Sequence, residues 1–408
     1  MATTQAGIGN LLSLLKNNKT SLNISKVSTI VNVHKEVENI SKVCQITMNY
    51  NLTKEPNLVE TKSDCYQISG INKKSFIKYN NNYIRSVKFD GSGKYLLSSS
   101  QDRILRLFSF NENEDNKVNL IREKECGGFV YDIKWSAKDE IYAFTSFQSP
   151  IHVYDVYGEC INTFKGINHL DEMDTAKSIC FTNQSDYILG GYKDKIRVFN
   201  MERSGKQLYD IDTYKKYHGG QKGCFTCIRM NPSDNNIFAG ATTGNNIGIY
   251  SLNDKDYQSL IGHELNGVTW MVYSPDGQYI FIGGKKNEGI ICYDTRMMGI
   301  KLYDIARHST SNQRIEFEID SSGSYLFSGS TFGTLNVTDL RQGSSFQTTK
   351  EFNLLNTSIP SLSLHPKDSY ITIGHGQRVF PYPILDEEDD NEMEENMIIN
   401  NGLSVFKF

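Results

Sequence analysis

The chain has 408 residues, too many for one compact layered domain of ~100–200 residues unless the fold is a barrel or a repeat. Its composition, 38% hydrophobic and 22% charged with 32 glycines and 8 prolines, excludes a fibre or a chain disordered throughout. The net charge of −4 is uneven, since Asp386–Glu395 holds eight of the 47 acidic residues and leaves 43 basic against 39 acidic elsewhere; with a pI of 6.1 this argues against a protein that coats nucleic acid by charge alone, while leaving room for a local basic patch.

In chain order, residues 1–62 show no periodicity, are rich in Asn, Ser and Lys, and read as a flexible, disordered N-terminal tail with a short helix at Ile8–Leu15. That run has no basic residue before it and is a poor signal peptide, and no later stretch approaches the ~20 apolar residues of a membrane span. The eight cysteines are scattered, several inside apparent strands, which suits reduced thiols in the cytosol or nucleus.

From residue 83 onward the chain repeats itself. Units aligned on Val87, Ile133, Ile179, Ile228, Met271, Phe317 and Leu362 step by 46, 46, 49, 43, 46 and 45 residues. Each opens with an apolar alternating run and turns at a polar cluster such as Ser274-Pro275-Asp276-Gly277. A small-residue strand follows (Leu96–Ser100, Ile282–Gly284), and a third run closes on an aromatic–acid pair such as Tyr154-Asp155 or Tyr293-Asp294. Period-2 alternation between Gly, Asp, Asn and Ser turns specifies strands and hairpins. Seven units at this spacing, about four strands each, specify an all-β, seven-bladed WD40-type β-propeller over residues 63–408. Gly262-His263 stands before one unit as that pattern expects, with His263 as a blade-locking hydrogen-bond partner and His365 as a turn residue before Pro366. An acidic insertion at about 384–400 interrupts the seventh unit; Gly402–Phe408 reads as its third strand, and a fourth is expected from Cys65–Ser69.

No catalytic constellation emerges. Gly91-Ser92-Gly93-Lys94 lacks the first glycine of a phosphate loop, because Lys88 stands there, and it lies between strands rather than before a helix. Cys224 and Cys227 form a lone C-x-x-C whose odd separation would point them to opposite faces of a strand, with no second pair for zinc. The expectation is therefore a non-enzyme with no cofactor, no metal and no small-molecule substrate. Binding candidates are better placed. In a propeller, the turns between second and third strands share a face with the entries to the first strands. That face collects Gln101–Arg103, Lys193–Lys195, Lys285–Asn287, Asn168–Glu172, Asn312–Arg314 and Gln377-Arg378. The candidate rim is His169, Lys193, Lys285, Lys286, Gln313, Arg314, Gln377 and Arg378. Arg and Lys beside Tyr and Phe suit phosphates and unpaired bases, and equally an acidic peptide.

The blades also carry ordered peptides: Ser149–Asp155 (SPIHVYD), Phe164–Glu172 (FKGINHLDE), Asn312–Ile315 (NQRI), Ser328–Ser330 (SGS), Ser363–Pro366 (SLHP) and Gly376–Pro381 (GQRVFP), followed by the acidic insertion. In these, roughly residues 75–408 resemble the telomerase Cajal body WD-repeat family, whereas the Asn-rich character and the N-terminal tail do not. The resemblance implies a monomeric nuclear scaffold, with the cytoplasm as a second compartment. Its partners would be small nuclear, Cajal-body-type or telomerase RNA and ribonucleoprotein core proteins, with no membrane. A scaffold that holds only protein stands as the alternative.

Overall fold

In the computed structural model of the protein, residues 48, 50–66, 82–138, 140–244, 246–254, 257–262, 267–286, 289–297, 300–309, 311–342, 349–378 and 401–408 are described. Both His263 and the acidic insertion lie outside them.

Seven blades of four antiparallel strands are arranged in sequence, the sheet of blade 2 being extended beyond its fourth strand by Met173-Asp174 and, in parallel, by Gly205-Lys206. Blade 1 comprises Ile84–Phe89, Tyr95–Ser100, Ile104–Phe110 and Val118–Glu125; blade 2 comprises Val130–Trp135, Ile141–Ser146, Ile151–Asp155 and Cys160–Ile167. Blades 3 to 6 open with Ser178–Phe181, Phe225–Met230, Val268–Tyr273 and Phe317–Ile319, and blade 7 with Ser361–Leu364. Each of these first strands lies against the first strand of the next blade, and the last returns to the first, so the seven enclose an axis. The seven-bladed WD40-type architecture read from the repeat is the architecture found.

The wedge shape of a blade is written into its second strand. These strands are buried on both faces, and in four blades they end, toward the turn to the third strand, on small residues: Ser98–Ser100, Gly190–Gly191, Gly283–Gly284 and Gly374. The neighbouring blade's first strand leaves no room there: a Cβ on Gly191 would stand 2.5 Å from Phe225 Cβ, and one on Gly374 would stand 2.6 Å from Ile84 Cγ2. Beyond this contact with Ile84 and Val87, larger apolar side chains fill the gap between blades 1 and 7, among them Tyr370, Leu403 and Val405. The turn between first and second strands is a polar hairpin, of Asp-x-Ser type in blades 1 (Asp90-Gly91-Ser92) and 6 (Asp320-Ser321-Ser322). In blade 1 Asp90 accepts from Ser92 and, at 2.8 Å, from the Tyr95 N–H, so Gly91–Lys94 is a strand connection, as the sequence context indicated.

Ring closure differs from expectation by one element. Gly402–Lys407 is the third strand of blade 7, paired with Tyr370–His375. Its outer neighbour, however, is Asn57–Lys62; of the strand expected at Cys65–Ser69, Cys65 and Tyr66 belong to a 3-10 turn at Asp64–Tyr66, and residues 67–69 lie outside the described residues. Residues 57–62, assigned from sequence to the tail, therefore belong to the last blade. An outermost strand carries little core: Leu58 is 59% exposed, so the Asn-Leu-Val-Glu-Thr-Lys pattern lacks the alternation of an inner strand. Further anchors lie on both sides of this closure. Tyr50 packs its ring against Tyr325, Phe327 and Phe408. His365 is buried rather than a simple turn residue, its Nε2 3.2 Å from Gly93 O and its Nδ1 accepting from Asp368 N at 3.0 Å, which pegs blade 7 to blade 1.

Deleting residues up to Lys62 would strip the partner from Gly402–Lys407 and expose an unpaired edge. The expected outcome is a fall in the thermal midpoint of ~5 °C or more together with concentration-dependent association. A truncated chain that melts unchanged and sediments as the intact one does would show the strand to be dispensable.

Candidate functional site

The first strands place alternate side chains on the axis, and the axis is full. Lys88 Nζ lies 2.7 Å from Glu318 Oε1 and 3.1 Å from Glu316 Oε2, Lys134 Nζ 2.5 Å from Asp132 Oδ1, and Arg314 Nη2 2.9 Å from Glu316 Oε1. Trp270 stands among them, its Nε1 donating to Phe317 O at 2.9 Å. Lys88, Lys134, Arg229 and Arg314 approach its ring centroid at 5.1, 5.3, 4.3 and 5.0 Å, the arrangement in which an indole quadrupole offsets cation burial. Burial opposes ionisation of Asp132, but Lys134, Arg314 and Arg229 outweigh it and hold the carboxyl below its usual range. Glu316 is likewise held low, with Lys88 and Arg314 outweighing burial. Lys134 moves down, through burial and then Arg229, whereas Glu316 and Glu318 overcome burial at Lys88 and raise it. Among the described residues no three His, Cys, Asp or Glu side chains converge as a metal site.

One face of the disc carries the candidate residues. The turns between second and third strands are stitched to the strand entries on the same face: Gln101 N donates to Tyr83 O, Phe147 N to Phe129 O, Thr243 N to Cys224 O, Lys285 N to Gly267 O, Thr331 N to His308 O and Gly376 N to Ser358 O, each at the entry of its own blade, while Asp194 N of blade 3 reaches Gly223 O at the entry of blade 4. Non-glycine residues with positive φ hold several of these turns, among them Arg103 (68°), Gln148 (52°), Asp194 (58°) and Lys286 (47°). A left-handed backbone at bulky residues is an unfavourable conformation that the surrounding contacts must impose.

The sequence-derived residues fall into three groups on this face. Lys285, Lys286, Gln313, Gln377 and Arg378 share the arc of blades 5 to 7: Lys286 N donates to Ser311 O at 3.3 Å, and Ser358 Oγ lies 3.2 Å from Gln313 Oε1 and 2.7 Å from Gly376 O. Gln313 Nε2 is buried there with no hydrogen-bond partner, and Arg378 is exposed. Lys193 and His169 are exposed on the arc of blades 2 to 4, His169 in a turn where Asn168 Oδ1 accepts from Leu170 N at 2.8 Å. Arg314 stands apart from both. Its guanidinium spans the channel mouth, donating to Tyr131 O at 3.3 Å and Arg85 O at 3.4 Å besides pairing with Glu316. The two accepting residues are the extra residues at strand irregularities between Ile84 and Ser86 and between Val130 and Asp132. Arg314 is thus a clasp of the channel, not the open fork that its sequence position suggested.

Sequence reasoning missed a series of cation–aromatic pairs on the same face. Arg103 lies over Phe129 (4.9 Å), Lys177 over Tyr131 (3.9 Å) and near Phe147 (5.9 Å), and Lys222 over Tyr214 (5.3 Å). His308 makes an edge contact with Phe332. Phe147 and Phe332 are 47% and 63% exposed. Arg103 and Phe129 come from successive connections, and Lys177 and Tyr131 from the entries of adjacent blades, so only blade phasing could have brought these together in the sequence; Lys222 and Tyr214 share one connection. Cys224 and Cys227 are separate free thiols, the first half-buried beside Lys193 and the second buried.

Residues 72–109 and 254–293 match the family model described as "WD domain, G-beta repeat". The chain is 31% identical over 370 residues to telomerase Cajal body protein 1 of Bos taurus, covering 86% of this chain and 65% of that protein. It is 32% identical over 334 residues to the Mus musculus protein of the same name (77% and 62%) and 31% identical over 332 residues to that of Homo sapiens (76% and 60%). The chain thus spans a little under two thirds of the length of these curated relatives, and the likeness read from the blade peptides holds over most of it.

Both Asp132 and Glu316 have folded-state pKa values below their unfolded ones, so they stabilise the fold above the unfolded pKa of ~4 and lose that contribution as pH falls through the folded value. Glu316→Gln is expected to cost ~3 kcal/mol at pH 7, because it leaves Lys88 and Arg314 short of a carboxylate, and to flatten the loss of stability below pH ~4. Thermal unfolding from pH 7 to pH 3 checks this; parallel acid limbs for wild type and variant would show that Glu316 carries no charge in the fold.

Proposed function

We propose that this WD40-type propeller, similar over its blades to the telomerase Cajal body proteins, is a non-enzymatic scaffold that binds a small nuclear or Cajal-body-type RNA, telomerase RNA among the candidates. In this role it promotes assembly or nuclear-body localisation of the ribonucleoprotein. The observation that carries the reading is the series of cation–aromatic pairs along one face: Arg103 with Phe129, Lys177 with Tyr131 and Phe147, and Lys222 with Tyr214. Reading an unpaired loop takes flat rings for stacking and nearby cations for phosphates, held on a rigid platform, and needs no strongly basic protein. The relatives bear the name telomerase Cajal body protein 1, which associates those proteins with telomerase and the Cajal body and supports this choice of RNA.

Geometry sharpens the roles. Lys193, Lys285, Lys286 and Arg378 are the phosphate contacts, and Gln313, Gln377 and His169 the base-edge or sugar contacts. Arg314 positions the mouth and touches the RNA only with whatever part of its fork the channel leaves open. The propeller acts as a monomer in the nucleus, joined by ribonucleoprotein core proteins. Leu170 and Phe332, 64% and 63% exposed on the same face, favour a second reading in which the rim holds protein alone.

Crosslinking followed by sequencing of copurified RNA tests the proposal: the expected result is enrichment of a small nuclear or telomerase RNA, and partners that survive RNase unchanged with no such RNA would favour the protein-only reading. Within the RNA reading, Arg378→Ala combined with Lys285→Ala and Lys286→Ala should leave the melting temperature within ~2 °C. The same triple variant should lower the salt slope of RNA binding by ~2, as loss of three phosphate contacts on a single strand requires. An unchanged slope in a folded triple variant would remove that arc from the site.

A further inference from the structure

Between blades 3 and 4 the chain makes a detour that the repeat does not require. Tyr214-Lys215 pairs with Gly219-Gly220 as a two-stranded hairpin, closed by His218 N donating to Lys215 O at 3.1 Å. Its tip residue Tyr217 is 88% exposed. Lys215, Lys216, His218 and Lys222 are exposed around it, Lys216 lying 5.8 Å from the Tyr217 centroid, and residues 213–223 contain no acidic side chain. The neighbouring acids are engaged elsewhere: Lys195 Nζ lies 3.3 Å from Asp210 and 3.4 Å from Asp212, and Asp194 Oδ1 accepts from Gly223 N at 2.6 Å. Among the described residues no ion pair engages Lys215, Lys216 or Lys222, so the hairpin projects a positive, aromatic tip with little compensation.

The root is as fixed as the tip is open. Gln221 N donates to Thr213 O at 2.7 Å, Thr213 Oγ1 to Gln221 O at 3.0 Å, and Thr213 N to Asp194 O at 3.1 Å. The Gln221 side chain is fully buried, giving its amide hydrogens to Gly240 O (2.7 Å) and Asn246 O (2.8 Å) and accepting from Tyr250 Oη at 2.6 Å. Gly220 has φ +115°, and a Cβ there would meet Thr213 O at 2.3 Å, so the close approach of the two arms requires glycine. A ring held out on an anchored hairpin loses little conformational entropy when something stacks on it. Lys193, beside Cys224 at the root, extends the positive surface from the tip onto the rim.

We infer that the hairpin Thr213–Gln221 is a finger that stacks an unpaired RNA base on Tyr217 while Lys215, Lys216 and Lys222 contact the phosphates on either side. The inference rests on the RNA-binding reading above and assigns that surface a specific contact. Stacking is indifferent to base identity, so the finger contributes affinity for single strands and leaves sequence choice to the rim.

The test uses the full chain and a labelled single-stranded RNA of mixed sequence, about 12 nucleotides long to span one site of ordinary size, followed by anisotropy across a salt series with the matching duplex in parallel. Tyr217→Ala should weaken single-strand binding by roughly 5- to 100-fold, with Tyr217→Phe near wild type and duplex binding little changed. Lys215→Ala with Lys216→Ala should reduce the salt slope by about 1.4. All three variants touch exposed side chains, and an unchanged circular dichroism melt confirms the fold. If the wild type binds the single strand and every variant matches it in affinity and slope, the finger is overturned while the RNA reading stands. If the wild type binds no RNA at any salt, the RNA reading fails and the finger with it. If Tyr217→Ala loses binding of a polyglutamate peptide and not of RNA, the hairpin docks protein and the inference is overturned.

Discussion

A closed ring of blades has one unavoidable liability, the inner edge of each first strand. Every such strand pairs with its second strand on one side only and turns its remaining N–H groups toward the axis, where a bare donor would cost on the order of 1–3 kcal/mol. Here those donors are met by polar side chains of other blades: Val87 N and Phe89 N donate to Ser361 and Ser363, Ile179 N to Asp132, Ile228 N to Ser178, and Leu364 N to Glu318. The axis is therefore polar by necessity. Once carboxylates are recruited there, cations must follow, since buried unpaired carboxylates would be worse than unpaired amides. Lys88, Lys134, Arg229 and Arg314 are that answer, with Trp270 letting several cations sit close to one another. The channel is a satisfied core running through the disc.

The same logic separates the two kinds of charge at the channel mouth. Arg314 satisfies Glu316 and two backbone carbonyls, so its charge is largely consumed by the protein. Some of the cations farther out on the rim sit over rings rather than beside carboxylates, as Lys177 does over Tyr131 and Arg103 over Phe129. A cation on a ring keeps most of its hydrogen-bonding capacity, and the ring keeps one face open. Such pairs can exchange their partner for a phosphate and a base with little rearrangement, which a buried ion pair cannot do without leaving a charge exposed to low dielectric.

How far the sequence discloses this follows from where each feature lies. The blade is a local unit, so its alternation, its polar hairpin turns and its small-residue second strands show in one stretch of chain, and repetition makes them unmistakable. Gly402–Lys407 was legible for the same reason, since it is buried on both faces and alternates. Asn57–Lys62 was not, because the outermost strand packs on one side only and owes its position to pairing with the far end of the chain. The rim divides in the same way. Turn phase alone places Lys193, Lys285, Lys286 and Gln377 on one face. The ring partner of Arg103, however, is Phe129, in the next connection, and whether an arginine is spent on the channel or left to solvent depends on three blades at once.

The hairpin at Thr213–Gln221 shows why repeat reading overlooks what it should most readily expose. Aligning units rewards what recurs, and the step from Ile179 to Ile228, 49 residues against 43 to 46 elsewhere, reads as noise in the period. Physically the extra residues are the informative ones. Closing the disc does not need them, yet Gln221 commits a fully buried side chain and three hydrogen bonds to hold them in one shape. A connection that served only to link blades would have no use for so fixed a root under so exposed a tyrosine. Rigidity at the base with an exposed ring at the tip is the combination that favours a stacking contact, since the backbone beneath the ring is already held in place when a base covers it.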